Sequence, residues 1–253
     1  MSIKSLSNIM SDLHLKTASE ELKPVLDEYK ANASTDWVAD LLQREVDARK
    51  EKALRNRIKR AKFPCMKSLE EFDWKFNKTI KKTQIEEIAD LEFLKENGIA
   101  LFLGQPGTGK THLAISIGIK AIYAGHSVYW TSLKRLSEDI RKAKEKNDLS
   151  LLFKKILSSK LWILDDWGVV SMPRDIAEEV FDLLDRREFS SSMILTSNRD
   201  IDEWPQVFED PVIASAAIDR IFNQANVSTF TGKSYRLEGC GLGKEKNHAI
   251  EKK

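Results

Sequence analysis

Residues Gly104-Gln105-Pro106-Gly107-Thr108-Gly109-Lys110-Thr111 spell an unbroken G-x-x-x-x-G-K-[ST]. Glycines at these positions let backbone N–H groups close around a polyphosphate. The ammonium of Lys110 is placed to reach the outer phosphates, and the Thr111 hydroxyl to ligate Mg²⁺. An apolar run, Ile99 to Leu103, precedes the loop, and a helix-like stretch from His112 to Ala124 follows it. A helix starting there adds the positive end of its dipole to the phosphate site. Strand, loop and helix in that order distinguish a phosphate loop from a glycine-rich turn, and predict a bound nucleoside triphosphate.

Two further strand ends carry chemistry. Leu161-Trp162-Ile163-Leu164 is an apolar run suited to a buried parallel strand, and Asp165-Asp166 closes it. Asp165 is placed to hold Mg²⁺, so Thr111 and Asp165 are the candidate metal ligands. Asp166 is placed as a base that orients the attacking water. Aspartate is one methylene shorter than glutamate, a reach that favours slow hydrolysis. The strand Ile194-Leu195 ends in Thr196-Ser197-Asn198, and Asn198 is positioned to hydrogen-bond the γ-phosphate or that water. Phosphoryl transfer also needs positive charge at the transition state, in cis or from a neighbour. Arg220 either supplies that charge to a neighbouring subunit or pairs with Asp219 or another acid. Arg236 is a weaker candidate for the same role.

These residues need a parallel sheet to bring them together. Apolar strands at 99–103, 127–131, 161–165, 193–197 and 226–230 alternate with amphipathic stretches at 111–124, 133–144, 149–158, 174–188 and 213–224. A further helical spacing covers 79–95 and stops at Asn97-Gly98. Residues 239–253 are polar, contain three glycines and read as a flexible tail.

The chain to about Lys62 has no glycine and reads as helical, with a break at 32–35. Thr35 or Asp36 then caps a longer helix with Trp37, Leu41, Leu42, Val46, Ala53, Leu54 and Ile58 on one stripe, ending at Phe63-Pro64. Between Arg44 and Lys62 stand nine basic residues against three acidic ones. Such a run is either a solvated face with i,i+4 pairs or a contact surface for nucleic-acid phosphates. Arg49, Lys52, Arg55, Arg57, Lys59, Arg60 and Lys62 are its candidate DNA contacts.

The whole chain of 253 residues has a formal net charge of only +2, 42% hydrophobic and 32% charged residues, which suits a soluble globular protein. Its two cysteines, Cys65 and Cys240, form no C-x-x-C pair, and its histidines show no metal-ligand spacing. No apolar run has membrane-spanning length and the N-terminus lacks a signal pattern, so the expectation is a cytoplasmic protein without membrane contact.

Taken together, GQPGTGKTHLA (104–114), LWILDD followed by WG, ILTSN and AAIDRIFNQA…GKSYRL resemble the IstB/DnaC-like AAA+ ATPases. SLEEFDW (68–74) is similar to that family's lead-in to the nucleotide domain. The basic segment LLQREVDARKEKALRNRIKRAKFP (41–64) resembles the N-terminal module of its IstB branch. The resemblance runs from about residue 10 to 238.

It implies a P-loop AAA+ parallel sheet flanked by helices at 65–238, a small helical N-terminal module at 1–64, and no long C-terminal lid. It also implies that ATP and Mg²⁺ are bound, with Gly104 to His112 as nucleotide contacts. Lys110 and Thr111 then match the Walker-A positions, Asp165 and Asp166 the Walker-B pair, Asn198 sensor 1 and Arg220 the arginine finger. The implied activity is that of an ATPase regulating transposition: a homo-oligomer with ATP at its subunit interfaces, assembled on duplex DNA, that recruits and stimulates a transposase. A replicative helicase loader is the alternative within the same family. A small-molecule P-loop kinase leaves the basic helix unexplained.

Overall fold

The computed structural model describes residues 3–28, 36–77, 79–223 and 225–239. Contacts divide the chain into Met1–Asn56 and Arg57–Lys253, a division that falls inside a helix. The expected break at 32–35, its Thr35 cap and the tail beyond Gly239 lie outside the described residues.

The first unit contains α1 (Ile3–Asp12), α2 (Lys16–Glu28) and most of α3 (Asp36–Ala61). Ile9, Leu13 and Val46 form its small buried cluster, with Leu42 packed against them. Arg49 donates to the carbonyl of Leu13 at 3.1 Å, just past the end of α1. The single apolar stripe expected along α3 is not there. Val46 and Ala61 are buried while Ala53 is exposed. At 3.6 residues per turn the apolar positions drift around the helix instead of aligning, so different stretches bury different faces.

The second unit is built on a five-stranded, wholly parallel sheet in the order β2-β3-β4-β1-β5. Its strands are β1 (Ile99–Gly104), β2 (Val128–Ser132), β3 (Leu161–Trp167), β4 (Ser192–Ser197) and β5 (Ala225–Phe230), all within two residues of their expected positions. Between them run α5 (Lys110–Tyr123), α6 (Leu133–Glu145), α7 (Leu149–Leu157), α8 (Arg174–Arg187) and α9 (Pro211–Phe222). One face of the sheet, with Leu101, Trp162, Leu164 and Leu195, packs in a core with Leu136, Ile140, Val180 and Leu183. The opposite face receives α5, where a Cβ on Gly118 would lie 2.7 Å from Ile163 and 3.0 Å from Phe63. Glycine is required there by close approach.

The helix expected over 79–95 is shorter. Here α4 covers Lys82–Ala89, Leu91 adopts φ 66°, and a 3-10 turn follows at Glu92–Leu94. The left-handed residue redirects the chain so that Leu94 enters the core with Ile88 and Ala89. Beyond β5, the described chain adds only α10 (Tyr235–Gly239), a five-residue helix rather than a lid. Because β4 lies between β1 and β3, the phosphate loop, Asn198 and the two aspartates emerge side by side at the C-terminal edge, where parallel sheets place ligands.

Candidate nucleotide-binding site

A cavity of about 570 Å³ lies over that edge. Pro106 to His112, Asp166 and Asn198 line it on the sheet side. The loop turns through left-handed glycines, with φ 77° at Gly107 and 104° at Gly109. Both are pressed from outside: an added Cβ would lie 2.1 Å from the Ser234 hydroxyl at Gly107 and 2.4 Å from the Phe72 ring at Gly109. Side chains there would push away the segments that wall the cavity.

Lys110 is nearly buried and donates to the carbonyls of Gly104 and Gln105, each at 2.7 Å. Those contacts fix the ammonium and leave one of its three N–H groups for a phosphate. Burial lowers its pKa to about 8, against the pull of Asp166 and then Asp165 in the other direction, while Arg236 lowers it further.

Asp165 is held by two hydroxyls that converge on the same carboxylate oxygen, Thr111 at 2.8 Å and Thr196 at 2.5 Å. Burial raises its pKa; the Thr196 hydrogen bond opposes that rise, and neighbouring Asp166 adds to it. Thr196 also accepts from the backbone N–H of Asp166 at 3.1 Å. One hydroxyl thus orients both acids, donating to one and accepting from the other. The β3–β4 register shifts between Leu164 and Trp167, and Asp166 sits there at φ 57°. Aspartate tolerates this region better than most residues, and strain of this kind collects at functional sites. The bulge turns Asp166 into the cavity beside Asn198, whose amide is 3.5 Å from its carboxylate.

The fit to Mg²⁺ is good. Among the described residues no cluster of three or more histidine, cysteine or acidic side chains forms a protein-only cage. Mg²⁺ with a nucleotide needs only one or two protein oxygens, and takes its remaining ligands from phosphates and water. Thr111 and Asp165, already in contact, supply that set.

The outer wall comes from two distant segments. Cys65, Phe72, Phe76 and Asn77 stand on one side, Tyr235 and Arg236 on the other. The rings of Phe76 and Tyr235 meet edge-on with centroids 5.0 Å apart. Asn77 binds Lys233 twice, donating to its carbonyl and accepting from its N–H, both at 3.1 Å. The Tyr235 N–H donates to Gly107 at 2.9 Å, so the wall is tied to the loop. A phosphate cradle with an aromatic wall suits a nucleotide.

Residues 9–240 match the IstB-like ATP binding protein family. The chain belongs to this family. An ATP-binding protein of insertion sequence IS21 from Pseudomonas aeruginosa is 35% identical over 92% of this chain and 89% of its own length. Its counterpart in IS232 from Bacillus thuringiensis subsp. berliner is 34% identical over 94% of this chain and 96% of its own. Among solved structures, DnaI superposes with a TM-score of 0.57 at 20% identity, covering 65% of this chain and 91% of that one. AMPPCP-bound DnaA from Aquifex aeolicus gives 0.52 at 19% identity, covering 73% and 58%. These likenesses show a P-loop AAA+ fold.

In this IstB-like protein, Gly104 and Gln105 serve by accepting from Lys110 and do not line the cavity. Asp165 lies beneath the surface that Asp166 and Asn198 form. His112 lines the cavity with its ring within 2.8 Å of the Ser68 carbonyl. Arg220 is not among the lining residues and pairs with Asp185, whereas Arg236 lines the cavity in the same chain. Sequence reading missed Thr196, Phe72, Phe76, Asn77 and Tyr235. For Thr196 the signal was a hydroxyl at a strand end facing an acidic one; for Phe72 and Tyr235 it was their place in the SLEEFDW and GKSYRL segments, and for Phe76 and Asn77 there was none.

The basic run is a different kind of surface. Arg49 and Arg55 pair with Glu45 and Glu51 one turn away, at 2.6 and 2.8 Å. Lys52, Arg57, Lys59 and Arg60 have no ion pair among the described residues, and Lys59 and Arg60 are exposed. Lys62 lies over the Tyr129 ring at 5.5 Å, with Lys155 over the same ring at 5.8 Å. Burial lowers its pKa, and so do Lys155 and Arg135. Among the described residues no helix is long and apolar enough to cross a membrane.

Proposed function

We propose that this protein is an ATP-dependent, DNA-binding regulator of transposition. It binds ATP with Mg²⁺, assembles into homo-oligomers on duplex DNA and recruits the transposase of its insertion sequence. The observation that carries the reading is the contact of Thr111 and Asp165 beside a fixed Lys110, in a member of a family whose relatives are named for insertion sequences. In the nucleotide site, Lys110 holds the outer phosphates, and Thr111 and Asp165 hold the metal ion, which supplies neutralising charge when bound. Asp166 accepts the proton of the attacking water, and Asn198 orients that water. Arg220 serves the site of a neighbouring subunit, so ATP lies between copies.

DNA is contacted through phosphates by the basic run and Lys62, without base reading. Each subunit then needs only modest DNA affinity, because assembly multiplies weak contacts through effective concentration.

Electron microscopy with duplex DNA and a non-hydrolysable ATP analogue tests the reading. Ordered oligomers on DNA are expected for the natural protein and not for Lys110→Ala. Monomers under every condition would sink the proposal, as would capture of a replicative helicase in place of the transposase.

A further inference from the structure

Arg220 stands at the last turn of α9, half-exposed and away from its own cavity. Its Nε donates to Asp185 at 2.8 Å, while its contact to exposed Asp219 is long, at 3.5 Å. An acid that grips Nε holds the guanidinium by its side. The terminal Nη groups then keep N–H donors directed past the acid, the edge that binds a phosphate in fork geometry.

Asp185 itself stands on a braced platform. Two residues on, Arg187 is buried and donates to the carbonyls of Asn97 and Ser191 at 2.9 and 3.0 Å. Lys160 holds the Asn97 side chain at 2.9 Å. Glu188 accepts from Asn223 at 3.0 Å, which ties the end of α9 to the end of α8. The residues leading into β1, β3 and β4 therefore all help to fix this corner.

We infer that Asp185 is a positioning residue for Arg220, setting the guanidinium by its Nε so that the Nη edge meets a phosphate oxygen in the neighbouring copy. This inference rests on the proposal that Arg220 acts between subunits. A free arginine carries about 2 kcal/mol of rotamer entropy. Fixing it before assembly removes that cost from the encounter. An ordinary exposed ion pair, by contrast, leaves catalysis untouched and adds little to stability.

The test is a double-mutant cycle on ATP turnover by the full-length protein assembled on duplex DNA. Asp185→Ala is expected to lower kcat about tenfold, an effect of about 1.4 kcal/mol, with KM for ATP within about twofold. Asp185→Glu, which keeps the carboxylate, recovers part of the loss. In the Arg220→Ala background, Asp185→Ala costs nothing further. Thermal unfolding and microscopy of the same samples are expected to match the natural protein. If Arg220→Ala abolishes turnover and Asp185→Ala does not change it, the positioning role falls and the intersubunit site stands. If Arg220→Ala has no effect, both fall. Faster turnover in Asp185→Ala, equal losses in both backgrounds, or a loss explained by unfolding would each overturn the inference.

Discussion

Lys110 and Lys59 carry the same side chain under opposite conditions. Lys110 is only 5% exposed, fixed by two carbonyls and surrounded by groups that determine its protonation. Lys59 lies on the exposed face of α3 with no ion pair among the described residues. The first arrangement suits chemistry, where a group must be in one place. The second suits a polyanion, which rewards charge density over placement. The contrast predicts that the two regions will respond differently to substitution.

Its largest consequence is expected at Asp165. Asp165→Asn should lower kcat on the order of 100-fold while the fold persists, as removal of a fixed charge beside a developing one does. Thr196→Val keeps the shape but loses the shared hydroxyl, and should cost about tenfold. Thr196→Ser should recover most of that. Steady-state turnover checks all three, and a fully active Thr196→Val would show that the hydroxyl orients neither acid.

The phosphate site was legible where its residues are neighbours in sequence. Gly107, Gly109, Lys110 and Thr111 sit in one loop, so their chemistry follows from spacing. Asp165 could be placed because it closes an apolar strand at the C-terminal edge of a parallel sheet. Thr196, Asn77 and Tyr235 could not, because their partners are set by sheet order and by pairings between distant segments. The assumed apolar stripe of α3 failed for a related reason: apolar content predicts burial without saying which face is buried. The fold separates the two candidate arginines: Arg236 lines the cavity of its own chain, and Arg220, expected to serve a neighbouring copy, does not.

An intermediate effect concerns pH. Because burial lowers the Lys110 pKa to about 8, analogue binding should weaken above that pH, by at most about tenfold per unit. Stability should move the other way. An unfolded lysine keeps its proton to 10.5, so between about 8 and 10.5 the unfolded chain binds more protons and folding is favoured as pH rises. Calorimetric binding and melting curves across this range give both slopes. Lys110→Met should flatten the Lys110 contribution to each, and unchanged slopes would remove the assignment.

The smallest effects belong to the basic run. Lys59→Ala and Arg60→Ala should each reduce the salt slope of duplex-DNA binding by about 1, uniformly across sequences. Arg55→Ala should do less, since Glu51 already neutralises it locally at 2.8 Å. Fluorescence anisotropy over a salt series separates the three. A loss at Arg55 equal to that at Lys59 would erase the distinction between paired and unpaired charge.

The amide of Asn77 and the backbone of Lys233 lie 156 residues apart in the chain. At a synthesis rate of about 5–20 residues per second, roughly 8–30 s pass between the emergence of the first and the second. During that interval the loop at 104–111 has been made, but one wall of its cavity has not. A nascent chain that has not yet emerged as far as residue 236 therefore lacks that wall, and the enclosure of the site waits on this late segment. A truncated product lacking residues 233–236 would keep the phosphate loop and lose the enclosure.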